Sequence, residues 1–490
     1  MAQEYFCATN GKLNRKRTIL TGFGFMASSI AWAIYDPYIT KILNKLLSES
    51  AMISSWSAKL NDAFPFLARF AETQGQDVNA VGGGITLVPL FIGIIMTFDN
   101  IFGVIFQPTF GKLSDRTHSK MGKRRPFIIF GAPVSAFLFA VIPWVALSNS
   151  LALTMLFIIL FVFSMSLWRA PVVALMPALT PPSLRSEGNA IINLMGGVGG
   201  AIGMFAGTIV GIVYKLLTGI EITTENETIA FPYVFLTGSV VMVIGMLVIM
   251  FCVKEPSSKL EDIGERNRAA DEKAAKKAEK AARKEQKLSR GERASLIFML
   301  AGLFFLFCGT NAITTFFALF AAEILGKTTA EATIMTTLFA VCSAIAAIPA
   351  GYMGKKIGRK KTIIIGLIAF MAAFVLYLAT RSNLIVWAVL VIGGFANMLI
   401  TVNTLPLVLE IGGNDRVGTF TGYYYTATFS AQIASPIVYG AVRMLSGTYM
   451  SLFVYSPIMF VLSMLCIFFV KHGEALPDEV IKAAEEEIDD

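Results

Sequence analysis

The chain has 490 residues, of which 55% are hydrophobic and only 15% are charged. Too few polar side chains are present to cover the surface of a water-soluble protein of this length, so the composition excludes a soluble enzyme or binding module. The net charge of +8 comes from basic residues in alternate loops, which is typical of membrane orientation rather than of nucleic-acid binding.

Twelve stretches stay apolar over about 20 residues, the length at which an α-helix crosses a bilayer core of roughly 30 Å. Their hydrophobicity is continuous rather than alternating, which excludes a transmembrane β-barrel. We therefore predict an all-α integral membrane protein with twelve helices. The first six spans are predicted at 18–40, 83–110, 126–147, 150–170, 188–217 and 231–253. The second six are predicted at 294–322, 331–353, 361–380, 384–409, 416–444 and 449–471.

The distribution of Lys and Arg predicts how the chain is oriented. Basic residues cluster before the first span and after the second and eighth, whereas the loops at 146–150, 218–230 and 445–448 contain none. The positive-inside rule then places both termini in the cytoplasm. The loop at 41–82 is an exception, since it holds four basic residues although the neighbouring loops place it outside. No small-residue cleavage site follows the first span, so we expect an uncleaved signal anchor.

Residues 254–293 are rich in strong helix formers and carry charge on every face, which favours a solvated linker helix in the cytoplasm. Binding of its lysines to the anionic inner leaflet is the alternative. The predicted organisation is a cytoplasmic tail at 1–17, a six-helix bundle at 18–253, the linker at 254–293, a second six-helix bundle at 294–471 and an acidic cytoplasmic tail at 472–490.

Similar motifs close the same spans in the two halves. The run at 111–125 (GKLSDRTHSKMGKRR) ends the second span, and the related run at 351–360 (GYMGKKIGRK) ends the eighth. A second pair of similar motifs occurs around the fourth and tenth spans. The residues of the first half are Pro171, Arg185 and Gly188, and the corresponding residues of the second half are Pro406, Arg416 and Gly418. This repetition predicts two bundles related by a pseudo-two-fold axis, with a binding site at mid-membrane that opens alternately to each side.

The run at 107–126 resembles the signature loop of the major facilitator superfamily, in the extended form found in sucrose-proton symporters and the related glycoside-pentoside-hexuronide:cation symporters. Trp32-Ala33, Pro37-Tyr38, Asp99 and the run at 169–177 extend the resemblance over essentially the whole chain. The resemblance implies a major facilitator fold. It also implies a cytoplasmic latch formed by Gly111, Asp115, Arg116, Gly122, Arg124 and Arg125.

In that latch, the resemblance implies that Asp115 pairs with nearby cations and with a helix N-terminus. These contacts would seal the cytoplasmic end of the outward-open form. Lys355 occupies the corresponding acidic position of the second half, so we expect the latch in the first half only.

Asp99 and Arg169 are the predicted proton-coupling residues, because ionisable groups inside a bilayer are mostly functional. Gly103 and Gln107 follow Asp99 at intervals of four and share its helical face. A carboxyl group whose surroundings change during transport can bind and release a proton. Arg169 either balances Asp99, donates to sugar hydroxyls or extends to the cytoplasmic surface. Both histidines lie outside the spans, so the proton carrier must be a carboxylate.

The cation-coupled sugar symporters carry acids at positions matching Gly103 and Arg169, so the resemblance disfavours sodium coordination here and favours a proton. We expect no other cofactor and no bound metal ion. Three further acids, Asp36, Glu323 and Glu410, lie near predicted span ends, where we expect solvation at the membrane interface.

The predicted substrate-binding residues are Trp32, Tyr35, Asn193, Asn311, Asn403 and Gln432. Aromatic faces suit the C–H faces of sugars, and amides suit their hydroxyl groups. Each amide has the alternative role of joining two helices by hydrogen bonds, which is the commoner use in membranes. Close helix packing is predicted at Gly199, Gly203, Gly207 and Gly211, which repeat every four residues.

These features predict a proton-coupled symporter of a di- or oligosaccharide or a glycoside, acting as a monomer in the cell membrane. A carrier or exporter of another polar solute is the alternative, because the fold supports many substrates. A solute sensor is disfavoured, since the linker and the C-terminal tail are too short for an output domain. The spans contain no paired nucleophile and base, so we do not expect an enzyme.

Overall fold

The computed structural model describes residues 5–9, 12–73, 85–117, 119–181, 184–255, 289–412 and 417–472. The predicted linker helix and the acidic tail lie almost wholly outside these residues, as do His118 and Arg416. In the described part the chain is helical apart from one short hairpin, which confirms the all-α prediction.

A small antiparallel hairpin precedes the first long helix, with β1 (Ala8–Thr9) paired to β2 (Lys12–Leu13). The helices of the first half are α1 (Arg15–Ser48), α2 (Ala51–Ala63), α3 (Pro65–Thr73), α4 (Val88–Ile95), α5 (Phe98–Arg116), α6 (Arg125–Ala146), α7 (Leu151–Leu179), α8 (Arg185–Thr218) and α9 (Phe231–Cys252). A 3₁₀ turn at Glu227–Ile229 leads into α9.

The second half begins with α10 (Arg290–Leu325) and continues with the same alternation of long helices and short connections. The helices that follow are α11 (Thr329–Ile357), α12 (Arg359–Thr380), α13 (Asn383–Gly412), α14 (Val417–Ser446) and α15 (Leu452–Phe468). A 3₁₀ turn at Tyr449–Ser451 leads into α15 and corresponds to the turn before α9.

Eleven helical segments in the described part are long and apolar enough to cross a membrane, with α4 and α5 counted as one. They coincide with eleven of the twelve predicted spans. The remaining one, α14, is a helix of 30 residues whose run at 419–430 is rich in Thr, Tyr and Ser, which lowers its hydropathy.

The predicted external loop at 41–82 is helical over most of its described residues. α1 continues to Ser48, because Ile42, Leu43, Leu46 and Leu47 are buried along one face. The start of α4 is tied to α2 by Asn61, whose side chain exchanges two hydrogen bonds with the backbone of Ile85. The prediction of a loop was wrong here because the lysines at 41 and 45 interrupt an otherwise apolar helix face.

Contacts divide the chain into two compact units. The first comprises Met1–Ser55, Ile95–Glu285 and Gly326–Thr333, and the second comprises Trp56–Ile94, Gln286–Leu325 and Ile334–Asp490. These units differ from the predicted halves at two notable places. Most of α2, all of α3 and most of α4 group with the second unit, and the first turn of α11 groups with the first.

Close packing through glycine characterises the first unit, where α1 lies against α8 and α9. A Cβ atom added to Gly199 of α8 would overlap the carbonyl of Met26, and one added to Gly203 would lie 2.8 Å from the Cβ of Ala33. Gly211 has open space around it, so the prediction of close packing was wrong at that position. Small residues allow helices to approach closely when no hydrophobic effect drives their association.

Buried serines link the helices of the second unit, where α10 packs against α14 and α15. Ser456 and Ser463 of α15 donate to backbone carbonyls of α10 at 3.1 and 2.8 Å. Ser435 of α14 donates to the carbonyl of Cys308 at 2.6 Å. These hydrogen bonds satisfy the hydroxyl groups inside an apolar environment and join the three helices.

We expect Gly199→Ala to destabilise the protein by about 1–3 kcal/mol through overpacking. The loss should occur although Ala favours a helix over Gly by roughly 1 kcal/mol. Gly197→Ala is the matched control, since its added Cβ would meet nothing within 4 Å. Thermal unfolding in detergent, followed by tryptophan fluorescence, measures both variants. Equal changes in the two would contradict the packing of α8 on α1.

Candidate functional site

The second predicted span is broken at its middle. α4 ends at Ile95 and α5 begins at Phe98, with a turn between them. Asp99 lies in the first turn of α5, where the helix dipole favours a carboxylate, and it accepts a hydrogen bond from Asn100 Nδ2 at 2.9 Å. The span predicted at 83–110 thus consists of two consecutive helices, which together form one candidate membrane span at Val88–Arg116. Neither Gly nor Pro occurs at the break, so the sequence carries no signal for it.

Asp36 lies well inside α1 and not near the end of the helix. Because α1 continues to Ser48, about three further turns of helix follow this residue. Its half-buried carboxylate interacts electrostatically with Asp99 and Arg169. The first span was predicted to end at 40, whereas α1 continues to Ser48, so Asp36 has charged neighbours that the sequence did not indicate. The available signal was the spacing of four from Trp32, which places both side chains on one helix face.

Arg169 approaches these two acids from α7. Its guanidinium carbon lies 5.3 Å from the centroid of the Trp32 ring, within the range of a cation–π interaction. It interacts electrostatically with both Asp99 and Asp36. The ion pairs found among the described residues include none between Arg169 and either acid. Of the three roles open from the sequence, extension to the cytoplasmic surface is disfavoured by this geometry.

The neighbouring Trp168 fixes the turn of α7 that carries Arg169. Its indole is buried, packs against Gly131 and donates from Nε1 to Ser135 Oγ at 2.9 Å. Ser135 in turn shares a 2.7 Å hydrogen bond with Ser164. Successive residues of a helix point about 100° apart, so anchoring Trp168 on α6 directs Arg169 away from that contact.

Aromatic rings pack around the charged groups. Trp32 meets Tyr35 edge-on with ring centroids 5.3 Å apart, and Tyr35 stacks on Phe161 at 5.5 Å. Trp32 Nε1 and the Tyr35 hydroxyl are buried, and neither has a hydrogen-bond partner among the described residues. A buried polar group without a partner is costly, so these two donors mark positions at which a ligand or water would bind.

These side chains form what we call the charge–aromatic cluster of the first unit. Its members are Trp32, Tyr35, Asp36, Asp99 and Arg169. With every group ionised the two carboxylates and one guanidinium sum to a charge of −1, and one bound proton brings the sum to zero. The cluster can therefore exchange a proton beside unsatisfied donors and an aromatic surface.

Two of the predicted amides make hydrogen bonds to backbone carbonyls. Asn193 is exposed on α8 and donates to the carbonyl of Asn189 at 2.8 Å. Asn403 is buried on α13 and donates to the carbonyl of Ala350 on α11 at 3.1 Å. The alternative role of joining helices is therefore favoured for Asn403, and its assignment to substrate binding is not supported.

The other two amides belong to the second unit and stay predictions. Asn311 on α10 has a buried Nδ2 that lacks a hydrogen-bond partner within the described chain. Gln432 is half-buried on α14. Like Trp32 and Tyr35, Asn311 therefore has a buried hydrogen-bond donor that no described residue accepts from.

The latch motif is organised around an acid that the sequence did not indicate. Glu255 follows α9, and its carboxylate is fully buried. It accepts hydrogen bonds from the backbone N–H groups of Arg124 at 3.0 Å and Arg125 at 3.1 Å, at the start of α6. Asp115 pairs with Arg124 Nη2 at 2.8 Å. Asp115 thus has a nearby cation, and Glu255 binds the N-terminus of α6. The expected contact of Asp115 with a helix N-terminus in the outward-open form stays a prediction.

The remaining latch residues differ in how closely they are packed. Gly122 has a φ of +99°, and any side chain there would also overlap Glu255, so this position requires glycine. Gly111 is less constrained, because its nearest neighbour would lie 3.9 Å from an added Cβ. Arg116 is exposed at the end of α5.

Comparison with known proteins decides the family. The family model described as MFS/sugar transport protein matches residues 84–412, which is more than half of the chain. The chain belongs to this major facilitator family. A comparison with curated proteins gives no match. Family membership makes the protein a secondary transporter of a small molecule, embedded in a lipid bilayer by several membrane-spanning helices.

Solved structures share the transporter's fold at low sequence identity. A bacterial homologue of the human lysosomal transporter Spinster, inward-facing and occupied, has a TM-score of 0.61 and 13% identity over 93% of this chain and 94% of that chain. The human organic anion transporter TETRAN has a TM-score of 0.52 and 17% identity over 94% and 100% of the two chains. These likenesses show the major facilitator fold.

In the second half of this transporter, ion pairs occupy places where solvated acids were expected. Arg359 begins α12 and pairs with Glu410 of α13. This pair does not involve Lys355, so a latch in the first half only stays a prediction. Glu323 pairs with Arg443 at 2.7 Å and accepts a hydrogen bond from the backbone N–H of Tyr449 at 2.8 Å. The expectation of simple interfacial solvation was wrong for both acids.

We expect Glu255→Gln to lower the free energy of unfolding by about 3 kcal/mol, because a buried neutral amide replaces the carboxylate that accepts from the backbone N–H groups of Arg124 and Arg125 and pairs with the Arg124 guanidinium. Asp115→Asn is the matched comparison. Asp115 is 56% exposed, so its loss should cost less than about 1 kcal/mol. Unfolding of the purified transporter in detergent measures both variants. A larger loss for Asp115→Asn would show that the latch is not centred on Glu255.

Proposed function

We propose that the protein is a symporter that carries a sugar together with a proton by alternating access. One observation supports this proposal above the others. Two buried donors, Trp32 Nε1 and the Tyr35 hydroxyl, adjoin two carboxylates and one arginine whose summed charge one proton would neutralise. The family match to MFS/sugar transport proteins supports the same substrate class.

A proton is favoured over a metal ion by the charges of the cluster. A bound sodium ion needs several oxygen ligands, and Arg169 competes with it for both carboxylates. Gly103, one turn after Asp99, supplies no oxygen from its side chain. A proton needs a single carboxylate, and Asp99 and Asp36 repel each other when both are ionised.

A sugar fits the cluster because both kinds of surface are present. The faces of Trp32 and Tyr35 suit the C–H faces of a sugar ring. The unused Nε1 and hydroxyl donors suit sugar hydroxyls, as do the carboxylate oxygens as acceptors. Arg169 can donate to a hydroxyl or glycosidic oxygen while its charge remains compensated by the acids.

A polar organic anion is the second candidate. Arg169 would pair with an anionic group, and one of the similar solved structures is an organic anion transporter. The cluster sums to −1 with both acids ionised, so such an anion would bind only together with at least one proton. A panel of sugars and organic anions, tested for uptake into liposomes with and without a proton gradient, separates the two candidates.

We propose in addition that the protein lies in the cell membrane with both termini in the cytoplasm, as the basic loops indicate. It would act as a monomer, because the cluster is assembled from α1, α5 and α7 of one chain. The predicted six-helix bundles at 18–253 and 294–471 would be the two parts that move in alternating access.

We expect Asp99→Asn to abolish accumulation of the substrate against its gradient while leaving exchange across liposomes partly intact. An amide cannot carry the proton, but it preserves the shape and hydrogen bonding of the site. Uptake driven by a proton gradient and counterflow without a gradient are measured on the same preparation. Full accumulation by Asp99→Asn, together with its loss in Asp36→Asn, would assign the coupling role to Asp36 instead.

Controls separate these effects from damage to the fold. Glu221 follows the C-terminal end of α8, and its side chain is 71% exposed. Glu221→Gln should therefore leave both accumulation and counterflow unchanged. An uncoupler should reduce accumulation by the unmodified protein to the level of Asp99→Asn. If the uncoupler has no effect on accumulation, proton coupling itself is wrong.

We expect Tyr35→Phe to raise the KM for the sugar about threefold to tenfold, which is the usual contribution of one neutral hydrogen bond. The maximal rate should change less, because Tyr35 binds the substrate and carries no proton. Tyr233→Phe, at an exposed tyrosine of α9, is the control. An unchanged KM would remove Tyr35 from the binding site.

A further inference from the structure

A buried acid outside the charge–aromatic cluster has no role in the proposed function. Glu227 begins the 3₁₀ turn before α9 and is 2% exposed. It was not predicted as a site residue, because it lies in a polar loop with two neighbouring glutamates. A fully enclosed carboxylate in a surface loop requires strong partners.

Two partners from distant parts of the sequence hold this carboxylate. Lys41 Nζ of α1 lies 3.0 Å from one oxygen, and the lysine side chain is itself 18% exposed. The backbone N–H of Thr329 donates to the other oxygen at 2.6 Å. The acid thus joins α1 to the start of α11 through one charge pair and one charge-assisted hydrogen bond.

The start of α11 is built to present this N–H group. Thr328 is the cap, since Glu331 N–H donates to its hydroxyl at 3.2 Å and its own N–H donates to Glu331 at 2.9 Å. This reciprocal pattern is a capping box, and it makes Thr329 the first helical residue. The N–H of that residue has no acceptor within its own helix. Glu227 supplies the acceptor and also meets the positive end of the helix dipole.

The same turn of α11 packs tightly against its surroundings in the first unit. Thr333 donates to the carbonyl of Met204 on α8 at 2.8 Å. A Cβ added to Gly207 of α8 would overlap the Tyr38 hydroxyl and lie 3.0 Å from the Cβ of Ala330. Residues Gly326–Thr333 therefore group with the first unit, although α11 continues into the second unit from Ile334.

We propose that Glu227 is a gating residue, which clamps the first turn of α11 to α1 and α8 and must release it when this end of the transporter opens. The proposal rests on the classification as a transporter and is independent of the substrate and of proton coupling. Alternating access requires that contacts closing each end break once in every cycle. Lys41, the Glu227 carboxylate and the Thr329 amide can each be hydrated after release, so the contact is suited to repeated breakage.

The test measures opening through the reactivity of one cysteine. The five native cysteines are replaced, and Thr333→Cys, at a residue that is 3% exposed, is introduced in the full chain. The rate of labelling by a polar maleimide in detergent is compared with and without Glu227→Gln. Loss of one charge-assisted contact should increase the labelling rate about tenfold or more. An unchanged rate would overturn the proposal.

Two further variants keep the test decisive if Glu227→Gln fails to fold. Thr329→Pro removes the backbone N–H that donates to Glu227, together with a buried hydroxyl that has no hydrogen-bond partner among the described residues. Proline is favoured at the first position of a helix. Thr329→Pro should increase labelling of the cysteine at 333 to a similar degree. Glu221→Gln removes the acid of the exposed Lys215–Glu221 pair nearby, and it should change the rate by less than about twofold. Equal effects of Glu221→Gln and Glu227→Gln would show that loop charge, and not the clamp, controls opening.

Discussion

Charges placed among apolar helices are the constraint on which the site depends. An isolated ion in a low-dielectric environment costs several kcal/mol, so Asp36, Asp99 and Arg169 must compensate one another. The break between α4 and α5 contributes by placing Asp99 at a helix N-terminus. The anchoring of Trp168 on α6 contributes by holding Arg169 near Trp32. The aromatic rings then exclude water from one side and leave two donors unused.

A second arrangement recurs away from the cluster, in which an acid binds the start of a helix or turn that is distant in sequence. Glu255 accepts from the first residues of α6, Glu227 from the first residue of α11, and Glu323 from the turn before α15. Each acid also has a basic partner, namely Arg124, Lys41 or Arg443. Such contacts are strong when enclosed, yet their parts can be hydrated when separated, unlike interdigitated apolar side chains. They are therefore suited to a protein whose ends open and close.

Helix packing shows how far the sequence predicted the fold. The apolar runs predicted the membrane-spanning helices, because a bilayer permits few alternatives to a long continuous helix. The glycine repeat in α8 predicted close packing, and Gly199 and Gly203 are packed against α1. The end of the first span was predicted too early, at 40, because the lysines at 41 and 45 were interpreted as the start of a loop. α1 continues to Ser48, with Ile42, Leu43 and Leu46 buried along one face. The break near Asp99 was missed, because Met96 and Thr97 are ordinary helix residues.

By itself the sequence determined the class of the protein. Hydrophobic length, the repeated loop at 111–125 and 351–360, and the intramembrane positions of Asp99 and Arg169 are all local properties of the chain. Only the tertiary structure decided which groups act together. In the tertiary structure Asp36 lies near Asp99 and Arg169, and Asn403 donates a hydrogen bond to the carbonyl of Ala350. Glu255 and Glu227 accept hydrogen bonds from helix N-termini that are more than 100 residues away in sequence. Such partners depend on the packing of distant helices, and hydropathy along one chain contains no information about that packing.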